Sequence, residues 1–368
     1  MPSKTLPPTG PAVELTFAYG SEKKGWIEEV TKAFNTAEVK LESGERIEVK
    51  TKAAGSGEIV DELLKGTLKA HLISPASAAF VVIGNGRSRE ADQGDLVGPT
   101  RELVRSPLVL AVWPDLADAL GWRERPPSWR EVFDAARSPE KWAGLNARKP
   151  GPGPFRLGHT RPDDSNSGLH ALFLMAYAAN NKFDASPTRG ELLQPALGDY
   201  LREVEAAVVK PLETSTGFLA KSMLEAGPAK MTAAIVYENL VIEANRGESG
   251  EAGPLKLVAV YPAEGTFQTE HPVGVVRRPW VTPLHEKAAE TYIAYLLAAA
   301  QQEKAKAHGF RPADASLPLD DLLKPEYGVS AVTPSTLPTP SAPTISTLRR
   351  IWQERFAAPS VAGAPAAR

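Results

Sequence analysis

Residues 14–74 alternate short β-rich runs with helix-period runs, and this alternation is the strongest constraint on the fold. Residues 14–19 (ELTFAY) alternate polar and apolar side chains, as a half-buried strand does. Trp26, Ile27, Val30, Ala33 and Phe34 then recur at helical spacing. Residues 47–51 (IEVKT) form a second strand-like run. A helix carrying Ile59, Leu63 and Leu64 follows and stops at Gly66, and residues 70–74 (AHLIS) make a third strand. Strand, helix, strand, helix, strand in that order predicts an α/β fold with a parallel sheet.

The chain is 368 residues long, which predicts two lobes rather than one. Hydrophobic residues at 42% and charged residues at 23% exclude a disordered chain. The net charge of −2 gives no general attraction to nucleic acid or anionic membranes. The absence of cysteine removes disulfides, thiolate metal sites and Cys nucleophiles together. No apolar run reaches the roughly 20 residues of a membrane span. Residues 1–12 are Pro-rich, lack the apolar core of a signal peptide, and read as a linker.

Further along, residues 84–100 (GNGRSREADQGDLVGPT) read as a Gly- and charge-rich loop, and residues 108–113 as a buried strand. Helices are expected at residues 129–136, 169–181, 192–208, 218–225, 240–245, 285–304 and 344–356. Buried strands are expected at 231–237, 255–261 and 272–276. Residues 333–343 are Pro/Thr/Ser-rich and extended.

Four polar turns lie where the chain leaves a buried strand or enters a helix. They are Gly20-Ser21, Gly55-Ser56-Gly57, Ser165-Asn166-Ser167-Gly168 and Tyr237-Glu238-Asn239. In open α/β sheets, ligands bind outside the carboxyl ends of the strands. Small hydroxyl residues and Gly at such turns let Oγ atoms and backbone N–H groups approach a ligand closely. Each turn alone is also explained by steric preference or helix capping.

Enzymatic signatures are missing. There is no G-x-x-x-x-G-K-[ST], no complete G-x-G-x-x-G, no G-x-S-x-G and no H-E-x-x-H. His170 reads as structural and His159 as a solvated turn residue. Asp163 and Asp164 read as acids offsetting a helix macrodipole, with a metal or acid/base pair as the alternative. Glu238 follows a buried strand and either points into a site, pairs with an Arg or caps the next helix.

In order and spacing, LTFAYGSEKKGWIEEVTKAFN, AAGSGEIVDELLKGTLKAHLISPA, SPLVLAVW, GHTRPDDSNSGLHALFLMAY, MTAAIVYENLV and LVAVYPAEGTFQTEHPVGVV resemble bacterial extracellular solute-binding proteins. The resemblance is to the type 2 periplasmic-binding fold, above all its sulfate- and molybdate-binding branch and the relatives linked to von Willebrand factor A domains. It implies two α/β lobes, each a mixed sheet flanked by helices, joined by hinge crossover strands, with ligand trapped between them. Carried across by position, Ser21, Ser56, Gly57, Ser165, Asn166, Ser167 and Tyr237 become ligand contacts, and Glu238 joins them. The Tyr237 hydroxyl corresponds to a donor of molybdate binders, and Tyr237-Glu238-Asn239 echoes the aromatic-Glu-Asn of sulfate binders. Asp163, Asp164 and Leu240 depart from the family pattern.

These expectations assign residues 13–107 and 273–330 to lobe one and 108–272 to lobe two. Residues 331–356 form an extended segment and a helix packed on one lobe, and 357–368 a tail. Hinges fall near residues 105–109 and 261–275. The resemblance implies an extracytoplasmic, non-enzymatic protein without cofactor, capturing a tetrahedral oxyanion such as molybdate or sulfate for the permease of an ABC-type transporter. The alternatives are a non-transport cell-surface interaction module with a von Willebrand factor A domain as its partner, or a cation site using Glu238.

Overall fold

Strand β1 (Ala12–Gly20) is flanked on both sides by parallel partners, β2 (Arg46–Ala54) and β3 (Leu72–Ser74), as the opening alternation requires. Its apolar residues Leu15, Phe17 and Tyr19 face the helices Lys24–Thr36 and Pro283–Leu297, whose Trp26, Phe34 and Tyr292 complete a buried cluster. Ala18 joins a second cluster with Ile59, Leu63 and Phe80. The remaining strands are β4 (Val97–Glu102), β5 (Val104–Val112), β6 (Leu157–Gly158), β7 (Ala233–Tyr237), β8 (Val258–Val260), β9 (Gln268–Thr269), β10 (Pro272–Val276) and β11 (Arg311–Pro312). This computed structural model describes residues 12–120, 125–145, 154–246, 254–331 and 334–356.

Two sheets result. The first has the order β2-β1-β3-β10-β4; the second runs β11-β5-β7-β6, with β8 and β9 also on β5. The chain crosses between them at three places: β4 to β5, β9 to β10, and just before β11. Strand β5 anchors all three, pairing with β9 at Ser106–Pro107 and with β11 at Val104–Arg105. The first crossing passes through residue 103, beside the expected hinge at 105–109, and the second through residues 270–271.

Three expectations need correction. Residues 84–100 are not a loop: a helix, Ala78–Glu90, runs into β4. Gly84 serves packing there, because a Cβ would meet Leu96 at 3.1 Å and Val60 at 3.2 Å. Asn85 fixes the strand, its Oδ1 accepting from Leu96 N and Val97 N at 2.9 Å each. The helix expected at 285–304 breaks at Ala298, giving Pro283–Leu297 and Ala299–Ala307. There Gln302 Nε2 donates to the Leu296 carbonyl at 3.0 Å, a carbonyl near the helix end that has lost its helical donor.

The third concerns residues 325–330, which the sequence reading puts with lobe one. They lie against β8 of the second sheet, with Ala259 N donating to Gly328 O at 2.7 Å. Buried Asn245 locks this contact, donating to Leu257 O (2.7 Å) and Tyr327 O (2.8 Å) and accepting from Lys256 N and Leu257 N. The C-terminal helix Ala342–Phe356 packs on the second lobe, with Leu348 and Trp352 buried. The expected linker, but for Ala12, and the expected tail fall outside the described residues.

Asn245→Ala strips four hydrogen bonds from buried main chain, and we expect a loss of roughly 2–4 kcal/mol in urea unfolding. A loss under about 1 kcal/mol contradicts the clamp.

Candidate functional site

Strand register decides which turns meet. Gly20 pairs with Ala54 and Tyr19 with both Ala53 and Ser74, so the turns after β1, β2 and β3 leave one end of the first sheet. They carry Ser21, Ser56 with Gly57, and Ser77. In the second sheet Gly158 pairs with Ala234 in parallel, so the turn of residues 159–165 leaves the sheet on the same side as Tyr237. The two sets face each other across the crossings, the place where ligand sites of such sheets form.

The facing turns make one hydrogen-bonded network. Ser167 Oγ bonds Thr160 Oγ1 and Thr216 Oγ1, both at 2.9 Å, and Ser165 Oγ lies 3.2 Å from Thr216 Oγ1. Asn166 Nδ2 donates to the Tyr237 hydroxyl at 2.9 Å, while its Oδ1 accepts from Ser77 Oγ of the first lobe at 2.8 Å. Ser21 Oγ accepts from Gly217 N at 3.0 Å and bonds Ser215 Oγ. Ser56 Oγ accepts from Ala76 N at 3.0 Å. All these side chains are buried. Gly168 is needed for the fold-back: a Cβ would lie 2.2 Å from Thr160 O.

Ser215, Thr216, Gly217 and Ser77 are missing from the sequence reading. A visible signal existed for the first three: Thr214-Ser-Thr-Gly217 is a polar turn opening the helix Thr216–Ala226, like the turns selected. Ser77 caps the helix Ala78–Glu90, its Oγ accepting from Ala79 N at 3.2 Å. Reading the following residues as a loop hides that helix start.

Four helices of ten or more residues begin in this region, Ser56–Lys65, Ala78–Glu90, Asn166–Asn180 and Thr216–Ala226, with first-turn N–H groups that no carbonyl of their own helix accepts and with positive dipole ends. At the first, Gly57 N and Glu58 N donate to one acceptor, the Asp164 carbonyl of the opposite lobe, at 2.7 and 3.3 Å. The Asp164 carboxylate is turned to Arg161 at 2.7 Å, while the Asp163 carboxylate accepts from Gln353 and Arg349 of the C-terminal helix. Burial raises the Asp164 carboxyl above its usual range, against Arg161 and with nearby acids adding to it.

For Glu238 the structure gives the pairing alternative. The side chain is fully buried, with Arg311 Nε on Oε1 and Nη2 on Oε2, both at 2.8 Å, and the Tyr261 hydroxyl also on Oε2. No donor set for a cation surrounds it: among the described residues no group of three or more His, Asp and Glu is placed to hold a metal.

Beneath the hydroxyl network lies a buried charged triad at the second crossing. Lys23 Nζ contacts Glu22 Oε1 at 2.6 Å and His271 Nδ1 at 3.1 Å, and His271 Nε2 meets Thr269 Oγ1 at 3.0 Å. Burial would raise the Glu22 carboxyl, but Lys23 and His271 together outweigh it and hold it at about 2. Burial, then the Lys23 ammonium, pushes His271 down to about 4, and burial alone takes His170 to about 3. Burial also raises the Tyr237 hydroxyl well above its ordinary value, so it stays protonated. His159 is not a solvated turn residue: it is buried, 3.0 Å from Glu205, and burial of that carboxylate is outweighed by His159 and Lys210, leaving it at about 2.

Two lobes of mixed sheet and helix, three hinge crossings and a polar network between them define a hinged binding protein. Residues 15–311 match the model of the bacterial extracellular solute-binding proteins, and the chain belongs to that family. No curated relative matches it in sequence. Among solved structures it is similar to the sulfate-binding protein SubI from Mycobacterium tuberculosis H37Rv, with TM-score 0.51 and 20% identity over 83% of this chain and 88% of that one. It is also similar to a periplasmic thiamin binding protein, with TM-score 0.63 and 12% identity over 95% and 99%. A third similar structure is AfuA from Actinobacillus pleuropneumoniae with fructose-6-phosphate bound, with TM-score 0.58 and 13% identity over 93% and 98%. At these identities the structural likeness establishes the fold alone. Among the described residues no helix is long and apolar enough to cross a membrane.

Removing Arg311 leaves the Glu238 carboxylate buried without its cation, and Arg311→Ala is expected to cost about 3–5 kcal/mol in chemical denaturation. A change below about 1 kcal/mol contradicts the pairing.

The depressed histidines fix the pH response. Folded His170 and His271 stay neutral below the ordinary value of 6.5, whereas the unfolded chain takes up protons there, so stability falls as pH drops from 6.5 toward 4 and 3. Glu22 and Glu205 lose their contribution lower still, from 4.5 toward 2. In urea titrations His170→Gln is expected to flatten the slope between pH 6 and 4 by up to roughly 1.4 kcal/mol per pH unit. An unchanged slope contradicts it.

Proposed function

We propose that this solute-binding protein traps a small tetrahedral oxyanion, such as molybdate or sulfate, between its lobes outside the cytoplasm and presents it to an ABC-type permease. The observation that carries the reading is the meeting of helix starts and hydroxyls from both lobes. Ser56 and Gly57 come from one lobe; Ser165, Asn166, Ser167 and Tyr237 come from the other, joined by Thr216. The Asp164 carbonyl on the first helix start supports it, since these N–H groups already hold an oxygen acceptor. Such a site stabilises an anion with oriented N–H and O–H groups and needs no added counter-charge.

Printed ligands of the similar structures bear on the class. Sulfate is an oxyanion and fructose-6-phosphate carries one, whereas thiamin does not. The Glu22–Lys23 pair beneath the network is internally neutralised, so neutral donors remain the groups that select. Glu238 is left out of the proposed contacts because Arg311 and Tyr261 occupy it.

A second reading has a specific observation in its favour. The lobes touch directly, with second-lobe main chain on Gly57, as suits a surface interaction module that binds no solute. A von Willebrand factor A-domain partner belongs to that reading and rests on the sequence resemblance alone.

Thermal-shift and calorimetric titration with molybdate, tungstate, sulfate and phosphate decides between them. We expect saturable binding of at least one oxyanion. Ser167→Asp, which puts a carboxylate against Thr160 and Thr216, should weaken it tenfold or more, on the order of 1.4 kcal/mol, and Ser56→Ala should weaken it less. No shift with any of the four anions refutes oxyanion capture and leaves the interaction reading.

A further inference from the structure

The turn that fills the interlobe seat is itself held from behind. Asp163 and Asp164 face opposite ways along one short segment: the Asp164 carbonyl enters the first lobe, and the Asp163 carboxylate turns back to the C-terminal helix. Gln353 Nε2 and Arg349 Nη2 reach Asp163 Oδ1 at 2.8 and 3.3 Å. One turn along that helix, Trp352 lies under the Arg161 guanidinium, 5.9 Å from its ring centre. The Trp352 indole N–H also donates to Glu205 Oε1 at 3.2 Å. Glu205 holds His159, and His159 Nδ1 lies 2.8 Å from Thr160 O at the other end of the turn. Helix Ala342–Phe356 therefore grips residues 159–164 at both ends.

On the far side the fit is made by two glycines. A Cβ on Gly55 would lie 2.2 Å from Thr214 O and 2.3 Å from Asp164 O, both on the second lobe. A Cβ on Gly57 would lie 1.8 Å from Asp163 O. At these two glycines the backbones of the lobes meet with no room for a methyl group.

We propose that residues 159–164 are an intramolecular plug of the interlobe seat and that the C-terminal helix sets how firmly the plug is held. Seating of the plug then competes with solute, whose apparent affinity scales with the fraction of molecules whose plug is withdrawn. Whatever loosens the C-terminal helix raises affinity without touching the solute. The proposal concerns closure and holds whatever the class of solute.

The full chain contains no cysteine, so K65C with K221C, on exposed lysines of the two lobes, gives one spin-labelled pair. Pulsed electron–electron resonance without solute is expected to give a single short separation. Gly55→Ala in this background should move it to a longer one. Gly55 has φ −72°, which alanine adopts freely, so the first lobe itself is not strained. The pair Arg349→Ala and Gln353→Ala, one half-buried and one exposed, should move part of the population to the same longer distance. An unchanged distance in Gly55→Ala overturns the plug. A shift in Gly55→Ala with none in the C-terminal pair overturns the role of the helix. Since no solute is present, failure of oxyanion capture leaves both results unaffected.

Discussion

A buried ion pair, Glu238 with Arg311, holds the hinge together. Two parallel charge-assisted bonds and the Tyr261 hydroxyl satisfy the carboxylate, which offsets much of the cost of taking both charges out of water. Arg311 lies on the third crossing and Glu238 opens the helix that follows β7, so the pair ties the last crossing to the second sheet. The next residue extends the tie. Asn239 bonds Ser106 on the first crossing through its backbone N–H and Oδ1, and its Nδ2 donates to Glu22 O beside the second. The three crossings are thus tied together at one place while each lobe keeps its own sheet.

That geometry explains why polar turns from distant parts of the chain meet at all. Parallel register brings the turns after β1, β2 and β3 to one end of the first sheet, and the hinge aims them at residues 159–168 and 214–217. Hydroxyls, amides and peptide oxygens satisfy one another across the lobes. On the proposed reading, a small species rich in oxygen acceptors takes over donors from those bonds.

Much of this was legible in the residues, and the misses share a cause. The opening alternation predicted β1, β2 and β3, and the strand Pro272–Val276 coincides with the run read from its apolar residues. Local pattern sufficed there because a half-buried strand such as β1 or β2 alternates in polarity and a strand buried on both faces, such as β3 or Pro272–Val276, is apolar throughout. It failed at Gly84, where glycine serves helix packing and resembles a loop signal. It also left Glu238 open between a ligand and an Arg partner, because Arg311 is 73 residues away. The plug was invisible for the same reason. Nothing in Asp163-Asp164 shows that a peptide carbonyl, rather than either carboxylate, enters the opposite lobe.

The most direct measurement is the anomalous scattering of tungsten in crystals of the full chain grown with tungstate. Oxyanion capture predicts one strong peak bounded by Ser56, Gly57, Ser167 and Thr216, with the Asp164 carbonyl withdrawn from Gly57. Crystals with no peak between the lobes and the Asp164 carbonyl still on Gly57 would contradict the account.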